Sequence, residues 1–284
     1  MRQIAFLNGD YVKHADARIS LFDRGFLFGD GVYDVIAVMG RKLVDFDSHF
    51  IRLVRSVVEI RIAYEIDRSA MLDIYRNLVE INDIVEGIIY FQITRGGTEG
   101  RDFLPDASIA PTIMAFCQSK NIVGAKIAAV GASVCTTPDQ RWARRDIKSV
   151  NLLPSVLAKL EAQRSGADEI WMTDQDVITE GGSSSAFIVS NKTLITRANS
   201  QAILPGCTRA AVLALAGIAG IPLELRPFTL SDAHIADEAF FTSASNFVIP
   251  VVEIDKIPIG NRQPGPITRK LQELYLDFAL RTSI

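Results

Sequence analysis

Four short stretches of this chain carry residue types that could do chemistry. Lys148 follows Arg141, Arg144 and Arg145 and enters the apolar stretch 150–153. A lysine ammonium near other cations and partly desolvated has its pKa lowered towards the free amine, the form that condenses with a carbonyl to a Schiff base. A lysine near a helix start is also, in most proteins, a solvated surface residue. Glu180 ends a strand-like run immediately before Gly181-Gly182-Ser183-Ser184-Ser185. Amides and hydroxyls there can hold a phosphate or an aldehyde oxygen, while the carboxylate could pair with a pyridinium nitrogen. The same residues would equally make an ordinary loop with a cluster of capping hydroxyls. Leu204-Pro205-Gly206-Cys207-Thr208-Arg209 opens a helix whose N-terminal amides attract an anion such as phosphate. Arg52, on an earlier helix, could reach the same anion, although an arginine between apolar helix positions is commonly just solvated.

Other site types are excluded by spacing. His14, His49 and His234 lie far apart and no Cys/His pair has metal-ligand spacing, so no metal is expected. G-x-S-x-G and S-x-x-K are both missing, and Gly25-x-x-x-Gly29-x-Gly31 fits neither the dinucleotide fingerprint nor the Walker loop. Lys plus Arg number 30 against 33 Asp plus Glu, a net charge of -3 without the basic surplus that a nucleic-acid partner demands. The longest charge-free stretches fall short of the about 20 residues that span a bilayer. The N-terminus turns at once into Asn8-Gly9, where a secretory signal would show a long apolar core, so a cytoplasmic location is expected. Cys117, Cys135 and Cys207 suit no disulfide framework and read as reduced, buried fillers.

The elements that must position these residues are legible in outline. At 284 residues the chain reaches the length at which a single hydrophobic core stops growing, and 48% apolar with 22% charged residues is globular composition throughout. Residues 4–12 read as a hairpin, and 32–38 as a strand that turns at Gly40-Arg41 and continues over 42–46. Asp47 or Ser48 can cap a helix with Phe50, Leu53, Val54, Val57 and Val58 at helical spacing. A second helix spans 69–82, and strands 87–94 and 112–117 complete a small α+β half. The polar stretch 118–124 reads as the linker. Beyond it, 126–136 reads as a strand, 154–166 as a helix, and 169–173, 177–179, 186–190 and 194–197 as short strands. Residues 206–220 read as a helix, 239–242 and 247–254 as strands, and 266–281 as a closing helix. The expected domains are 1–118 and 125–284, joined by 119–124.

In this order the motifs are specific. Asp23-Arg24-Gly25, Phe28-Gly29-Asp30-Gly31-Val32-Tyr33, His49-x-x-Arg52-Leu53, Ile147-Lys148-Ser149, Thr179-Glu180-Gly181 and Leu204-x-Gly206-x-Thr208-Arg209 resemble the fold type IV, class IV pyridoxal phosphate aminotransferases. Within that group, Gly31-Val32-Tyr33-Asp34-Val35, Tyr90-Phe91-Gln92-Ile93-Thr94-Arg95-Gly96, Arg141-Trp142-x-x-x-Asp146-Ile147-Lys148-Ser149-x-Asn151-Leu152-Leu153 and Pro250-Val251-Val252-Glu253-Ile254-Asp255 are most similar to the D-amino-acid branch.

The resemblance implies an α/β (α+β) fold with a small N-terminal domain and a larger C-terminal pseudo-barrel domain, a homodimer, and pyridoxal 5'-phosphate lying between the domains. Lys148 would hold the cofactor as a Schiff base and shuttle the proton between Cα and C4′. Glu180 would keep the pyridine nitrogen protonated. Arg52, Gly206, Cys207, Thr208, Ser243 and Ala244 would surround the phosphate, Leu204 would pack on the ring face, and Ser183 and Ser184 would lie near the cofactor. Tyr33 and Val35 would face the substrate. The implied reaction is ping-pong transamination between a D-amino acid, D-alanine or D-glutamate foremost, and 2-oxoglutarate or pyruvate. One loop departs from the D-specific pattern, which places an Arg and a His two residues apart to hold the substrate carboxylate across the dimer interface. Here Gly96-Gly97-Thr98-Glu99-Gly100-Arg101-Asp102-Phe103-Leu104-Pro105 has no histidine, and Arg101 alone can supply a bidentate contact. An (R)-selective amine transaminase, a branched-chain L-amino-acid aminotransferase and an aminodeoxychorismate lyase share the fold and stand as alternatives. The set Lys148, Glu180 and Arg52 argues against a non-catalytic scaffold.

Overall fold

The structure is a computed structural model and describes residues 3–97, 99–106 and 108–284. The chain divides into two compact units that are not two continuous stretches. Residues Ile147–Asn151 and Thr282–Ile284 belong with Met1–Asn121, while Ile122–Asp146 and Leu152–Arg281 form the second unit.

The first unit contains β1 (Ile4–Leu7), β2 (Asp10–Lys13), α1 (Arg24–Phe28), β3 (Gly31–Met39), β4 (Lys42–Leu43), α2 (Phe46–Glu59), α3 (Arg68–Ile81), β5 (Glu86–Thr94) and β6 (Thr112–Ser119). Its six strands run in the order β2-β1-β6-β5-β3-β4, antiparallel throughout. β3 and β5 pair along their whole lengths, from Gly31 opposite Thr94 to Met39 opposite Glu86. Because side chains alternate across a strand, Val32, Ile36 and Val38 enter the core with Leu53, Val57, Tyr75 and Leu78 of the two long helices, while Tyr33 and Val35 occupy the other face.

The second unit contains α4 (Lys126–Val130), β7 (Ala132–Pro138), α5 (Leu153–Ser165), β8 (Glu169–Asp174), β9 (Val177–Gly181), β10 (Ser185–Ser190), β11 (Thr193–Thr196), α6 (Cys207–Ile218), β12 (Leu223–Leu225), α7 (Leu230–His234), β13 (Glu238–Ser243), β14 (Phe247–Ile254), β15 (Ile257–Pro258) and α8 (Pro266–Thr282). The main strand order is β12-β11-β10-β13-β14-β7-β8-β9, with β15 paired to β14. The pairs β14–β7, β7–β8 and β11–β12 are parallel, so the sheet is mixed. β9 ends that order, yet β10, three residues further along the chain, lies third from the opposite end. The sheet must therefore curl back on itself, as a pseudo-barrel does. Among the described residues, no helix is long and apolar enough to cross a membrane.

Several local expectations need correction. Residues 126–130 form helix α4, because Ala128 and Ala129 favour helix over strand; the strand begins only at Ala132. Of the run 42–46 only Lys42–Leu43 is strand, with Val44 N still donating to Ala37 O, and Phe46 is already helical. Neither Asp47 nor Ser48 is the cap of α2. Asp45 takes the N-cap position in a left-handed conformation (φ 56°) without a side-chain cap bond, and Asp47 sits in the first turn, where its charge suits the helix dipole. The short elements α1, α7, β12 and β15 have no counterpart in the sequence reading.

Candidate active site

In the first unit the chemistry gathers on both faces of β3. The segment carrying Lys148 lies against the start of that strand. Tyr33 N donates to Lys148 O at 3.0 Å, Val150 N donates to Gly31 O at 3.0 Å, and Lys148 N donates to Ser56 Oγ at 3.4 Å. Gly29 makes this approach possible. Its φ is +67°, and a Cβ there would lie 2.1 Å from Asn151 Oδ1. The half-buried Lys148 thereby sets its ammonium 4.4 Å from the Tyr33 ring centroid. Tyr33 stacks on Tyr90 at 5.2 Å and Tyr90 on Phe116 at 5.1 Å, an aromatic row along the same face as Val35.

Behind β3, Asp34 points to α2. It is 1% exposed and receives Arg52 Nε at 2.8 Å and Arg52 Nη2 at 2.7 Å. His49, one helical turn before Arg52, places Nδ1 2.7 Å from Asp34 Oδ1. With Asp34 ionised, its carboxylate can only accept, so Nδ1 carries the proton, and the 3.2 Å approach of Arg52 Nη2 to Nδ1 is a by-product of their shared acceptor. Burial alone would raise the Asp34 carboxyl; the charges of Arg52 and His49 outweigh it and hold the group far below the ordinary carboxylate range.

In the second unit, Glu180 near the end of β9 is buried and accepts Arg141 Nη1 at 2.5 Å and Leu204 N at 3.0 Å. Burial raises its proton affinity, partly offset by Arg141 and the Leu204 amide. Arg141 also grips Asp139 through Nε at 3.0 Å and Nη2 at 2.7 Å, and Thr179 Oγ1 donates to the same carboxylate at 2.7 Å. Arg145 pairs with Asp139 and Arg144 with Asp146. The cation run expected around Lys148 is thus engaged with carboxylates.

Gly206 is the N-cap of the twelve-residue α6 and offers the first-turn amides no side-chain cap of its own. A Cβ at Gly206 would meet Ser185 Oγ at 2.8 Å. Cys207 and Thr208 are buried, and Thr208 Oγ1 lies 3.5 Å from Tyr275 Oη. Ser184 Oγ and Thr242 Oγ1 are buried hydroxyls with no hydrogen-bond partner among the described residues. Ser243 accepts from Asn246, Ala244 follows it half-buried, and Ser183 is exposed. Arg101 is exposed and lies over the rings of Phe28 (5.0 Å) and Phe103 (5.2 Å); Thr98 of the same loop lies outside the described residues.

The structure thus groups Lys148 with Tyr33, and Glu180 with Leu204. It adds three residues without a role in the sequence reading: Asp34, His49 and Thr242. Asp34 had a signal, since a carboxylate in the buried phase of an alternating strand requires a cation, and His49 and Arg52 share a helix face at i,i+3. Asp34→Asn is expected to lower stability at pH 7 by about 3–5 kcal/mol, the cost of breaking a buried ion pair, as read from urea unfolding.

The pH dependence follows in sign. Asp34, Asp30 and Asp139 are all held below the usual range, burial opposing and arginines prevailing in each. The folded chain therefore binds fewer protons than the unfolded one, and this stability is lost as pH falls from about 5 through the folded values. Glu180, held high, contributes in the opposite sense, its stability lost as pH rises. Asp106 and Asp232 are also held low by local hydrogen bonds, so the depressed aspartates outnumber Glu180 and the net effect is acid lability. The melting temperature is expected to drop between pH 7 and 3, less steeply in Asp34→Asn.

Residues 31–254 match the model of the family described as amino-transferase class IV. A D-alanine aminotransferase of Staphylococcus aureus (strain MSSA476) is 37% identical over 279 residues, 98% of this chain and 99% of that protein. One from Listeria monocytogenes serotype 4b (strain F2365) is 33% identical over 272 residues, 95% of this chain and 94% of its own. Among solved structures, the Escherichia coli branched-chain amino acid aminotransferase superposes with a TM-score of 0.92 at 23% identity, covering 98% of this chain and 95% of that one. A T.th. branched-chain amino acid aminotransferase, solved with pyridoxamine 5'-phosphate, gives 0.88 at 23% identity, covering 98% and 94%. The mixed α/β architecture is that of fold type IV, and the chain belongs to the class IV aminotransferases.

Proposed function

We propose that the protein is a pyridoxal 5'-phosphate-dependent D-amino-acid aminotransferase that acts on D-alanine or D-glutamate and 2-oxoglutarate or pyruvate. The observation that carries this reading is near full-length similarity to D-alanine aminotransferases combined with a lysine held against Tyr33 and a buried carboxylate fixed by Arg141. The branched-chain structures, at 23% identity, speak for the fold alone.

The residues present fit the cofactor. Glu180 offers a buried carboxylate to a ring nitrogen, and the start of α6, without a side-chain cap, together with the hydroxyls of Ser184 and Thr242, which have no partner among the described residues, offers donors suited to a phosphate. Pyridoxal phosphate supplies an aldehyde carbon that bonds amines and a protonated ring that takes up electrons when Cα loses its proton. Lys148 Nζ would hold the cofactor at that carbon and, as a free amine, would move a proton between Cα and C4′. Glu180 holds the proton at the ring nitrogen, and Arg141 with the Leu204 amide keeps its carboxylate aimed. Arg52, Gly206, Cys207, Thr208, Ser243 and Ala244 bind the phosphate, Leu204 covers the ring, and Ser183 and Ser184 line the cofactor's surroundings. Tyr33 and Val35 face the substrate, and Arg101 binds its α-carboxylate, reaching the site of a second copy in a homodimer. The exposed Leu153, Val156, Leu157 and Leu160 of α5 support such an assembly.

The test is incubation of the purified protein with D-alanine, L-leucine or (R)-1-phenylethylamine in the presence of 2-oxoglutarate. Pyruvate from D-alanine is the expected product. A keto acid formed only from L-leucine, or a ketone only from the amine, would overturn the D-specific reading.

A further inference from the structure

The loop that carries Arg101 is poorly supported by apolar packing. Phe103 and Leu104 are 73% and 82% exposed, so burial does little to fix it. Hydrogen bonds from a buried arginine help to hold it. Arg24, 4% exposed, donates Nη1 to Asp102 O at 2.6 Å and Nη2 to Phe103 O at 2.9 Å, while its Nε is fixed by Asp30 Oδ2 at 2.8 Å. Asp30 is anchored in turn by Arg95 Nε at 2.8 Å. The backbone of the same arginine holds the other end of the loop, since Arg24 N donates to Gly96 O at 2.8 Å and Asp23 bridges to Gly97. Asp23 also caps α1 through Gly25 N at 2.8 Å and accepts Thr94 Oγ1 at 2.9 Å. One helix start therefore closes the loop at both ends.

Between these ends, the Phe28 ring has Arg24 at 4.7 Å and Arg101 at 5.0 Å, and Phe103 packs on Phe28 at 5.4 Å. A planar guanidinium can serve three acceptors while stacking on a ring; a lysine ammonium at position 24 could not reproduce that fork.

From this we infer that Arg24, acting through Phe28 and the 102–103 carbonyls, is the positioning residue that aims Arg101 and so sets affinity for the substrate carboxylate. The inference rests on the carboxylate role given to Arg101 above, and the experiment separates the two. KM for D-alanine is measured for the wild type, Arg24→Lys, Arg101→Ala and the double variant, with the cofactor's visible absorbance as the check that each is folded and loaded. Arg101→Ala is expected to raise KM roughly tenfold or more, and Arg24→Lys similarly, since misplacing a binding group by about 1 Å can cost up to two orders of magnitude. The double variant is expected to match Arg101→Ala alone, because a residue that acts only through Arg101 has nothing left to position. Phe28→Leu, which removes the shared ring and spares the hydrogen bonds, is expected to raise KM in the same direction, and replaces Arg24→Lys if that variant does not fold. If Arg101→Ala raises KM while Arg24→Lys and Phe28→Leu leave it unchanged, or if their effects add to that of Arg101→Ala, the positioning role is overturned and the carboxylate reading stands. If Arg101→Ala itself leaves KM unchanged, the carboxylate reading fails and the inference with it.

Discussion

Lys148→Ala is expected to abolish the visible absorbance band of the purified protein and to lower kcat by at least 10²- to 10⁴-fold, the range supplied by a positioned acid–base group alone. The loss should be larger still, because the same amine is proposed to hold the cofactor covalently. The side chain is half-buried and its segment is fixed through main-chain bonds to Gly31, Tyr33 and Ser56 that alanine retains. The fold should therefore survive, with far-UV circular dichroism unchanged. An unaltered absorbance band in a folded Lys148→Ala protein would remove Lys148 from the chemistry.

Glu180→Gln is expected to lower kcat by roughly 10²–10³, the usual effect of deleting one preorganised electrostatic contact, with the covalent link to the cofactor preserved. An amide cannot stabilise a proton on the ring nitrogen as a carboxylate does. The variant should fold, because Arg141 keeps two bonds to Asp139, and the glutamine oxygen can still accept from Leu204 N. Single-turnover spectra with D-alanine would show a slowed conversion beginning from a normally loaded enzyme. Wild-type kcat in this variant would mean that Glu180 is a structural partner of Arg141 and nothing more.

What is legible in the sequence divides along sequence distance. Helices α2 and α3 announce themselves by apolar spacing, helices α5, α6 and α8 by proline and glycine at their ends, and strands β3, β5 and β6 by runs of strand-favouring residues. Helix α1 does not, being five residues long with Gly25 inside it, and α4 is disguised by Ile127 and Val130, which suit a strand. The site residues can be picked out one at a time, but their partners cannot. Arg52 and Asp34 are 18 positions apart and Arg141 and Glu180 are 39 apart, and no local pattern connects them. For the same reason, the cations at 141, 144 and 145 read as a surplus until the fold brings their carboxylates into place. Lys148 belongs by its contacts to the first unit although its neighbours in sequence belong to the second, which only tertiary pairing with β3 could reveal.

The most direct test of the proposed chemistry is borohydride trapping with peptide mapping. Reduction of the resting protein is expected to fix the pyridoxyl group on the peptide containing Lys148, and prior addition of D-alanine without a keto acid is expected to prevent labelling, since the cofactor then leaves the lysine as its amine form. A label on another lysine, or protection by L-leucine and not by D-alanine, would contradict it.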